Sequence, residues 1–193
     1  MEFSTSYSPV TMAFISMTKD ELKKFYEWFM LNLPYCIEEL MQLVRTTPGF
    51  EDWYPDCTPD SLGTLGAWLE RKVQRRDLTA EEIKSIRAGL TRPIEIAEWD
   101  LTDETKSLAL YVGMYYGEVA LKNNPMLKWE QQMGNKRLAD FGQPVITGPG
   151  IVPINPVRIA NSIAYGLVDG TKKGGQLREV YDYWEKLVMP GPK

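Results

Sequence analysis

The stretch from Thr102 to Trp129 constrains the fold of this chain more than any other. Thr102 is a suitable helix N-cap, and Asp103 and Glu104 follow in the first turn, where the helix dipole favours negative charge. Pro125 ends the helix, because proline disfavours helical backbone in the residue before it. The stretch therefore predicts one long helix followed by a strand that carries Trp129.

The predicted helix is apolar almost all round, which is typical of a buried central helix. One narrow face differs, because it carries tyrosines and charged residues at helical spacing: Glu104, Ser107, Tyr111, Tyr115, Glu118 and Lys122. Gly113 and Gly117 each lower helix propensity by about 1 kcal/mol relative to alanine. We therefore expect a neighbouring backbone to approach the helix closely at these glycines.

Two interpretations of the tyrosine-bearing face remain open. The face is either the solvent-exposed edge of the helix or the wall of a concave site beside Trp129. In the second case, Tyr111, Tyr115 and Glu118 line a pocket between the helix and a small sheet, with Arg158 as a further lining residue. A carboxylate among aromatic rings suits acid–base chemistry or cation binding.

Helix-start signals recur along the rest of the chain. Capping boxes, in which a threonine and a glutamate three residues later satisfy each other's backbone amides, begin at Thr18 and Thr79. Thr58 and Asn155 each precede a proline. This order predicts that each is an N-cap and that the proline after it is the first helical residue. Pro34 interrupts the first helical pattern, which predicts a helical hairpin or a kinked helix.

The strand signals are fewer and shorter. Residues 126–131 and 143–147 predict an antiparallel pair, and residues 94–101 form either a strand or an extended connector. Together these patterns predict an α+β fold that is predominantly α. It has a helical N-terminal half, a long central helix, a small antiparallel β-sheet and C-terminal helices.

The same signals set the expected domain organisation. We expect an N-terminal arm at residues 1–17, one compact domain at 18–189 and a tail at 190–193. Within the domain, residues 18–90 form the helical half and residues 95–189 the mixed half.

Composition argues against several classes of function. The chain has 193 residues and no histidine, which excludes Ser-His-Asp and Cys-His catalysis and histidine-ligated metal sites within it. Cys36 and Cys57 are expected to be thiols rather than a disulfide. The net charge of −4 argues against nucleic acid, and the expected apolar run is too short for a membrane span.

Two charged groups have simple interpretations. Arg71, Lys72, Arg75 and Arg76 are expected to be a solvated helix end, and Glu95, Glu98 and Asp100 a solvated acidic turn. We therefore expect neither a metal nor a cofactor. The N-terminus lacks the basic and apolar regions of a secretory signal, so the default expectation is a cytoplasmic protein.

One set of motifs resembles a family of uncharacterised bacterial proteins. The shared pattern is a helix with the motif Y-x-G-x-x-x-G-E, a strand with tryptophan, a second strand and a helix that starts with N-P; here it covers Tyr111–Glu118, Trp129, Pro144–Ile146 and Asn155–Pro156. The resemblance extends over about residues 100–188 and supplies no established activity. It implies a small α-rich domain, a kind that includes immunity-like proteins that neutralise toxins.

Three functions remain open. The first is a non-catalytic protein-interaction domain, immunity-like or regulatory, with another protein or a second copy of the chain as partner. The second is a small-molecule or peptide-binding domain that uses the Glu118 pocket. The third is an enzyme in which Glu118 acts as general acid or base, with Asp103 or Asp100 as its partner carboxylate.

Overall fold

The structure, a computed structural model, describes residues 14–90, 92 and 95–188. Most of the expected N-terminal arm and the whole tail at 190–193 lie outside these residues. The described chain contains a short 3-10 helix, six α-helices and four strands. Their bounds are Phe14–Ser16 for the 3-10 helix, Lys19–Arg45 (α1), Ser61–Lys72 (α2), Arg75–Asp77 (β1), Ala80–Gly89 (α3), Trp99–Leu101 (β2), Asp103–Asn123 (α4), Lys128–Gln131 (β3), Pro144–Thr147 (β4), Pro156–Val168 (α5) and Gln176–Val188 (α6). The predicted class, α+β and predominantly α, is confirmed.

Helix α1 runs without interruption through Pro34, so of the two predicted alternatives, a helical hairpin or a single kinked helix, the hairpin is wrong. Pro34 lacks an amide hydrogen and removes the hydrogen bond to the carbonyl of Met30. Both residues are exposed, so water can reach that carbonyl. The buried face continues at helical spacing on both sides of Pro34, from Leu22 to Val44. Its packing offsets the cost of a proline inside a helix, which is about 3 kcal/mol.

Helix α4 is the buried centre of the molecule, as its apolar surface predicts. It packs most extensively on α5 and also contacts α1 and α2. A Cβ atom at Gly113 would lie 2.5 Å from Val157 Cα, which confirms the expected close approach of a backbone. At Gly117 the neighbour is a side chain, because the added atom would lie 2.0 Å from Trp129 Cζ2.

The strands form two separate antiparallel pairs. The pairing of β3 with β4 was predicted, and it places Trp129 opposite Ile146. The pairing of β1 with β2 was not, because Arg75 and Arg76 were assigned to a helix end. Helix α2 ends at Lys72, and both arginines lie in β1 opposite β2.

One hydrophobic cluster runs from Phe14 to Trp184 and joins residues of all six α-helices except α3. Cys36 is buried and Cys57 half-buried, and both are free thiols, as expected. Burial, which is the main cause, raises the pKa of the Cys36 thiol to about 11.

Candidate functional site

The predicted site residues Glu118 and Trp129 do meet. The indole N–H of Trp129 donates a hydrogen bond to Glu118 Oε1 at 2.9 Å. Trp129 is buried, and the edge of its ring contacts Phe29 of α1 at a centroid distance of 5.2 Å. Glu118 is half-buried. Its carboxylate therefore holds β3 against α4.

Tyr115 is fully buried and anchors the loop that precedes α2. Its hydroxyl lies 2.6 Å from Ser61 Oγ and accepts a hydrogen bond from the Cys57 amide at 3.0 Å. The Trp53 ring meets the Tyr115 ring edge to face at 5.4 Å. Burial, which outweighs the hydrogen bonds with the Ser61 hydroxyl and the Cys57 amide, raises the pKa of Tyr115 to about 12.

Tyr111 joins α4 to α1. Its hydroxyl donates to Glu39 Oε2 at 2.9 Å, and the residue is 4% exposed. Helix α1 and the loop around Cys57 therefore cover the middle of the tyrosine-bearing face. Its exposed members, Glu104 and Lys122, lie at the two ends.

Arg158 takes part in a different set of contacts. Its Nε lies 2.7 Å from Asp140 Oδ1, and its Nη2 donates to the carbonyl of Ala139. Both partners belong to the loop between β3 and β4. Asn155 also donates to Asp140, at 3.1 Å. The structure thus brings Glu118 and Trp129 together and gives Tyr111, Tyr115 and Arg158 separate partners.

The carboxylate pairs proposed for catalysis do not form. Glu118 and Asp103 lie fifteen residues apart on α4, which is about 22 Å along the helix axis. Paired catalytic carboxylates work within about 10 Å of each other. Asp100 lies before the same N-terminal end of α4 and is likewise far from Glu118.

Asp100 belongs to a partly buried cluster and not to a solvated acidic turn. Its Oδ2 lies 2.7 Å from the Lys106 ammonium, and its Oδ1 accepts from the Tyr165 hydroxyl at 2.5 Å. The Lys106 side chain is 6% exposed. Burial alone raises the pKa of Asp100, but the hydrogen bonds from Lys106 and Tyr165 lower it overall. The cluster ties β2 to α4 and α5.

The other members of the expected acidic turn, Glu95 and Glu98, are exposed. Glu98 lies 3.8 Å from Arg87. Among residues 14–90, 92 and 95–188, no three Cys, Asp or Glu side chains come together in a way that could hold a metal ion.

The loop between α1 and α2 borders an acidic cavity of about 410 Å³. Trp53 is buried there, and its indole N–H donates to the Ser61 carbonyl at 3.1 Å. Tyr54 is 63% exposed at the rim. Of the acidic lining residues, Asp56 bonds to Thr58 and Asp60 pairs with Arg178. These carboxylates are thus engaged in holding the loop and α6.

An apolar cavity of about 660 Å³ lies between α6 and the loop after β4. We call it the C-terminal groove, and it is lined by Pro149, Gly150, Ile151, Val152, Ile154, Trp184 and Leu187. An antiparallel bridge between Ile146 and Ile154 holds the loop in place, with N···O distances of 2.8 and 3.0 Å.

Two apolar side chains of the groove are largely exposed. Val152 is 81% exposed and Leu187 is 65% exposed. Trp184 is only 7% exposed, yet its indole N–H has no hydrogen-bond partner among the described residues. Large exposed apolar patches mark sites of interaction, and a buried donor without a partner costs free energy.

Helical spacing alone does not reveal the groove, because it does not separate the covered apolar residues of α6 from the exposed ones. Leu177, Tyr181 and Trp184 are buried, whereas Val180 and Leu187 are exposed. Val180 is turned about 100° from Tyr181 around the helix axis. The sequence did contain one signal of the groove: the apolar residues of α6 spread over a wider arc of the helix than a single packed face requires.

No helix in the described part of the chain is both long enough and apolar enough to cross a bilayer. Comparison of the whole chain with models of protein families, with curated proteins and with solved structures gave no match.

Proposed function

We propose that this chain is a non-catalytic protein-interaction domain, immunity-like or regulatory, that docks another polypeptide on the C-terminal groove. The observation that carries the proposal is the exposed apolar lining of the groove, with Val152 and Leu187 at 81% and 65% exposure. Burial of such side chains against a partner stabilises a complex by about 25 cal/mol per Å² of apolar surface. We keep the cytoplasm as its proposed location.

The backbone of the groove favours recognition through side chains. Pro149 and Pro153 have no amide hydrogen, so the loop cannot donate a continuous ladder of hydrogen bonds to an added strand. On α6, the exposed residues Val180, Tyr183 and Leu187 follow the spacing i, i+3, i+7. This spacing is typical of a helix face that receives another helix.

The experiment is affinity capture of the tagged full chain from its own host, with quantification by mass spectrometry. Leu187→Asp places a charge in the groove, and Leu31→Asp is the matched control, because Leu31 is 69% exposed on α1. We expect a stoichiometric partner with the wild type and with Leu31→Asp, and its loss with Leu187→Asp. The loss supports the proposal when Leu187→Asp unfolds at the temperature of the wild type. A partner retained by Leu187→Asp contradicts the proposal.

A second candidate function is the binding of a small apolar molecule in the C-terminal groove. The volume of about 660 Å³ falls in the range of small-molecule sites, and the lining residues are mostly apolar. A thermal-shift screen with apolar compounds tests it, because a ligand that binds the folded state raises the unfolding temperature. A shift that persists in Leu187→Asp, which places a charge in the groove, contradicts binding at this site.

A further inference from the structure

The solvent-facing side of α6 presents an apolar stripe with one charged flank. We call Val180, Tyr183 and Leu187 the α6 stripe; these residues are 36%, 68% and 65% exposed. Their spacing of three and then four residues is the seam of a helix pair. The groove adjoins the stripe on one side, because Leu187 belongs to both.

The apolar surface continues beyond α6. Val152 lies across the groove from Leu187. Met126 is also 70% exposed, and its backbone precedes the groove loop: a Cβ atom at Gly148 would lie 3.0 Å from the Met126 carbonyl oxygen and 3.2 Å from Ile151 Cδ1.

Two exposed residues of opposite charge, Glu179 and Lys186, flank the other side of the stripe. They lie seven residues apart, so they face the same direction on the helix. Neither residue forms an ion pair with any described residue.

The remaining charges of α6 act within the molecule. Arg178 pairs with Asp60 and with Asp182, each at 2.7 Å. Glu185 accepts a hydrogen bond from Tyr181 at 3.2 Å. The flank of Glu179 and Lys186 is therefore the charged part of α6 that is available to a partner.

We infer that the polypeptide docked on the groove is a second copy of this chain, with the two α6 helices antiparallel; this inference rests on the proposed function. A twofold interface must be complementary to itself. When two identical helices pair antiparallel, the same flank of each helix faces the other. Glu179 of one copy then meets Lys186 of the second copy, and the reciprocal pair forms as well.

The second copy also suits the apolar groove. The cavity is open beside Trp184 and Leu187. An exposed tyrosine supplies an aromatic ring, and Tyr183 stands next to Trp184 on the same helix. The α6 stripe thus contains both the apolar seam and a group that can fill the groove of the facing copy.

The test is sedimentation velocity of the full chain over a range of concentrations up to millimolar. We expect a concentration-dependent dimer in the wild type and in Leu31→Asp, and a monomer in Leu187→Asp. Glu179→Lys alone and Lys186→Glu alone should each weaken dimerisation roughly tenfold, because two exposed ion pairs are replaced by like charges.

The charge variants make the test specific for an antiparallel pair. The double variant Glu179→Lys/Lys186→Glu should dimerise as the wild type does. An equimolar mixture of the two single variants should form a mixed dimer, because attraction between the copies is restored. Failure of both rescues, or a wild type that stays monomeric at millimolar concentration, overturns the inference.

This result is separate from that of the proposed function. A monomeric chain whose capture of a host protein is lost in Leu187→Asp overturns the second copy as partner and leaves the groove as an interaction site. A monomeric chain that captures no host protein overturns both.

Discussion

Trp129 lies so close to Gly117 that a Cβ atom at position 117 would be 2.0 Å from Trp129 Cζ2. On the next residue along α4, Glu118 accepts the hydrogen bond of the same indole at 2.9 Å. The position of β3 on the central helix therefore depends on a missing side chain at 117 and on an acceptor at 118.

Alanine at Gly117 or Gly113 should destabilise the protein, although alanine favours a helix by about 1 kcal/mol relative to glycine. Overpacking costs about 1–3 kcal/mol, and more is expected at Gly113, where the obstacle is the backbone of Val157. Urea unfolding measures the change. The control is Gly63→Ala in α2, where no atom lies within 4 Å of the added Cβ. Equal free energies of unfolding for the three variants would rule out the close approach.

Replacement of Glu118 should affect stability through the hydrogen bond to Trp129. Glu118→Gln keeps an acceptor and should change the free energy of unfolding little. Glu118→Ala leaves a buried indole N–H unpaired, at a cost of about 1–3 kcal/mol. Glu104→Ala, at an exposed position of the same helix, is the control. If Glu118→Ala is as stable as this control, the bond has no structural role.

Lys106→Met should destabilise the protein by about 3–5 kcal/mol, because it leaves the Asp100 carboxylate without its cation in a partly buried site. The matched control is Lys128→Met. Lys128 and Glu130 are also 2.7 Å apart, but Lys128 is 66% exposed, so a change below about 1 kcal/mol is expected. Chemical denaturation of both variants makes the comparison, and similar losses would show that burial does not matter here.

Glu82 should contribute stability that depends on pH. Hydrogen bonds from Arg76 first, and from the Thr79 amide next, lower the pKa of Glu82 to about 2 from an ordinary 4.5. A lowered carboxyl pKa stabilises the fold above the unfolded value, and that contribution is lost as the pH falls from 4.5 through about 2. In Glu82→Gln, the decrease in unfolding free energy over this range should be smaller than in the wild type.

Carboxyl NMR titration checks the cause directly. In Arg76→Met the pKa of Glu82 should rise toward its ordinary value, since the leading hydrogen bond is gone. A wild-type Glu82 that already titrates near 4.5 would contradict the arrangement.

Cys36 should resist thiol reagents. With a pKa of about 11, only about 0.1% of this thiol is ionised at pH 8, and the residue is 3% exposed. Reaction with Ellman's reagent should show a faster phase from the half-buried Cys57 and a slow phase from Cys36 that is limited by unfolding. Cys36→Ser should remove the slow phase and Cys57→Ser the fast one. A single common rate would refute the assignment.

Most features encoded locally were predictable from the sequence, although α2 begins at Ser61 with Asp60 as its N-cap and not at the predicted cap Thr58. Thr18 and Thr79 form the expected capping boxes, and α4 spans Asp103–Asn123 after its cap Thr102. Such signals depend on residues a few positions apart, so a single segment contains all the information.

Most contacts with distant partners were not predictable. Nothing near Tyr115 in the sequence indicates that Ser61 and Cys57 will meet its hydroxyl. Arg75 entered a strand because β2 lies next to it in space, and short strands are decided by their partner. The groove depends on which side of α6 the rest of the molecule covers, and periodicity alone does not say so.

The burial of α4 on nearly all sides has a consequence for synthesis of the protein. Its covering elements come from both directions of the chain: α1 and α2 precede it, whereas α5 follows it. A ribosome that has released residues up to Asn123 has therefore released a helix whose apolar side toward α5 is still uncovered. We expect the nascent chain to be most prone to aggregation, and most dependent on chaperones, until residues 156–168 emerge.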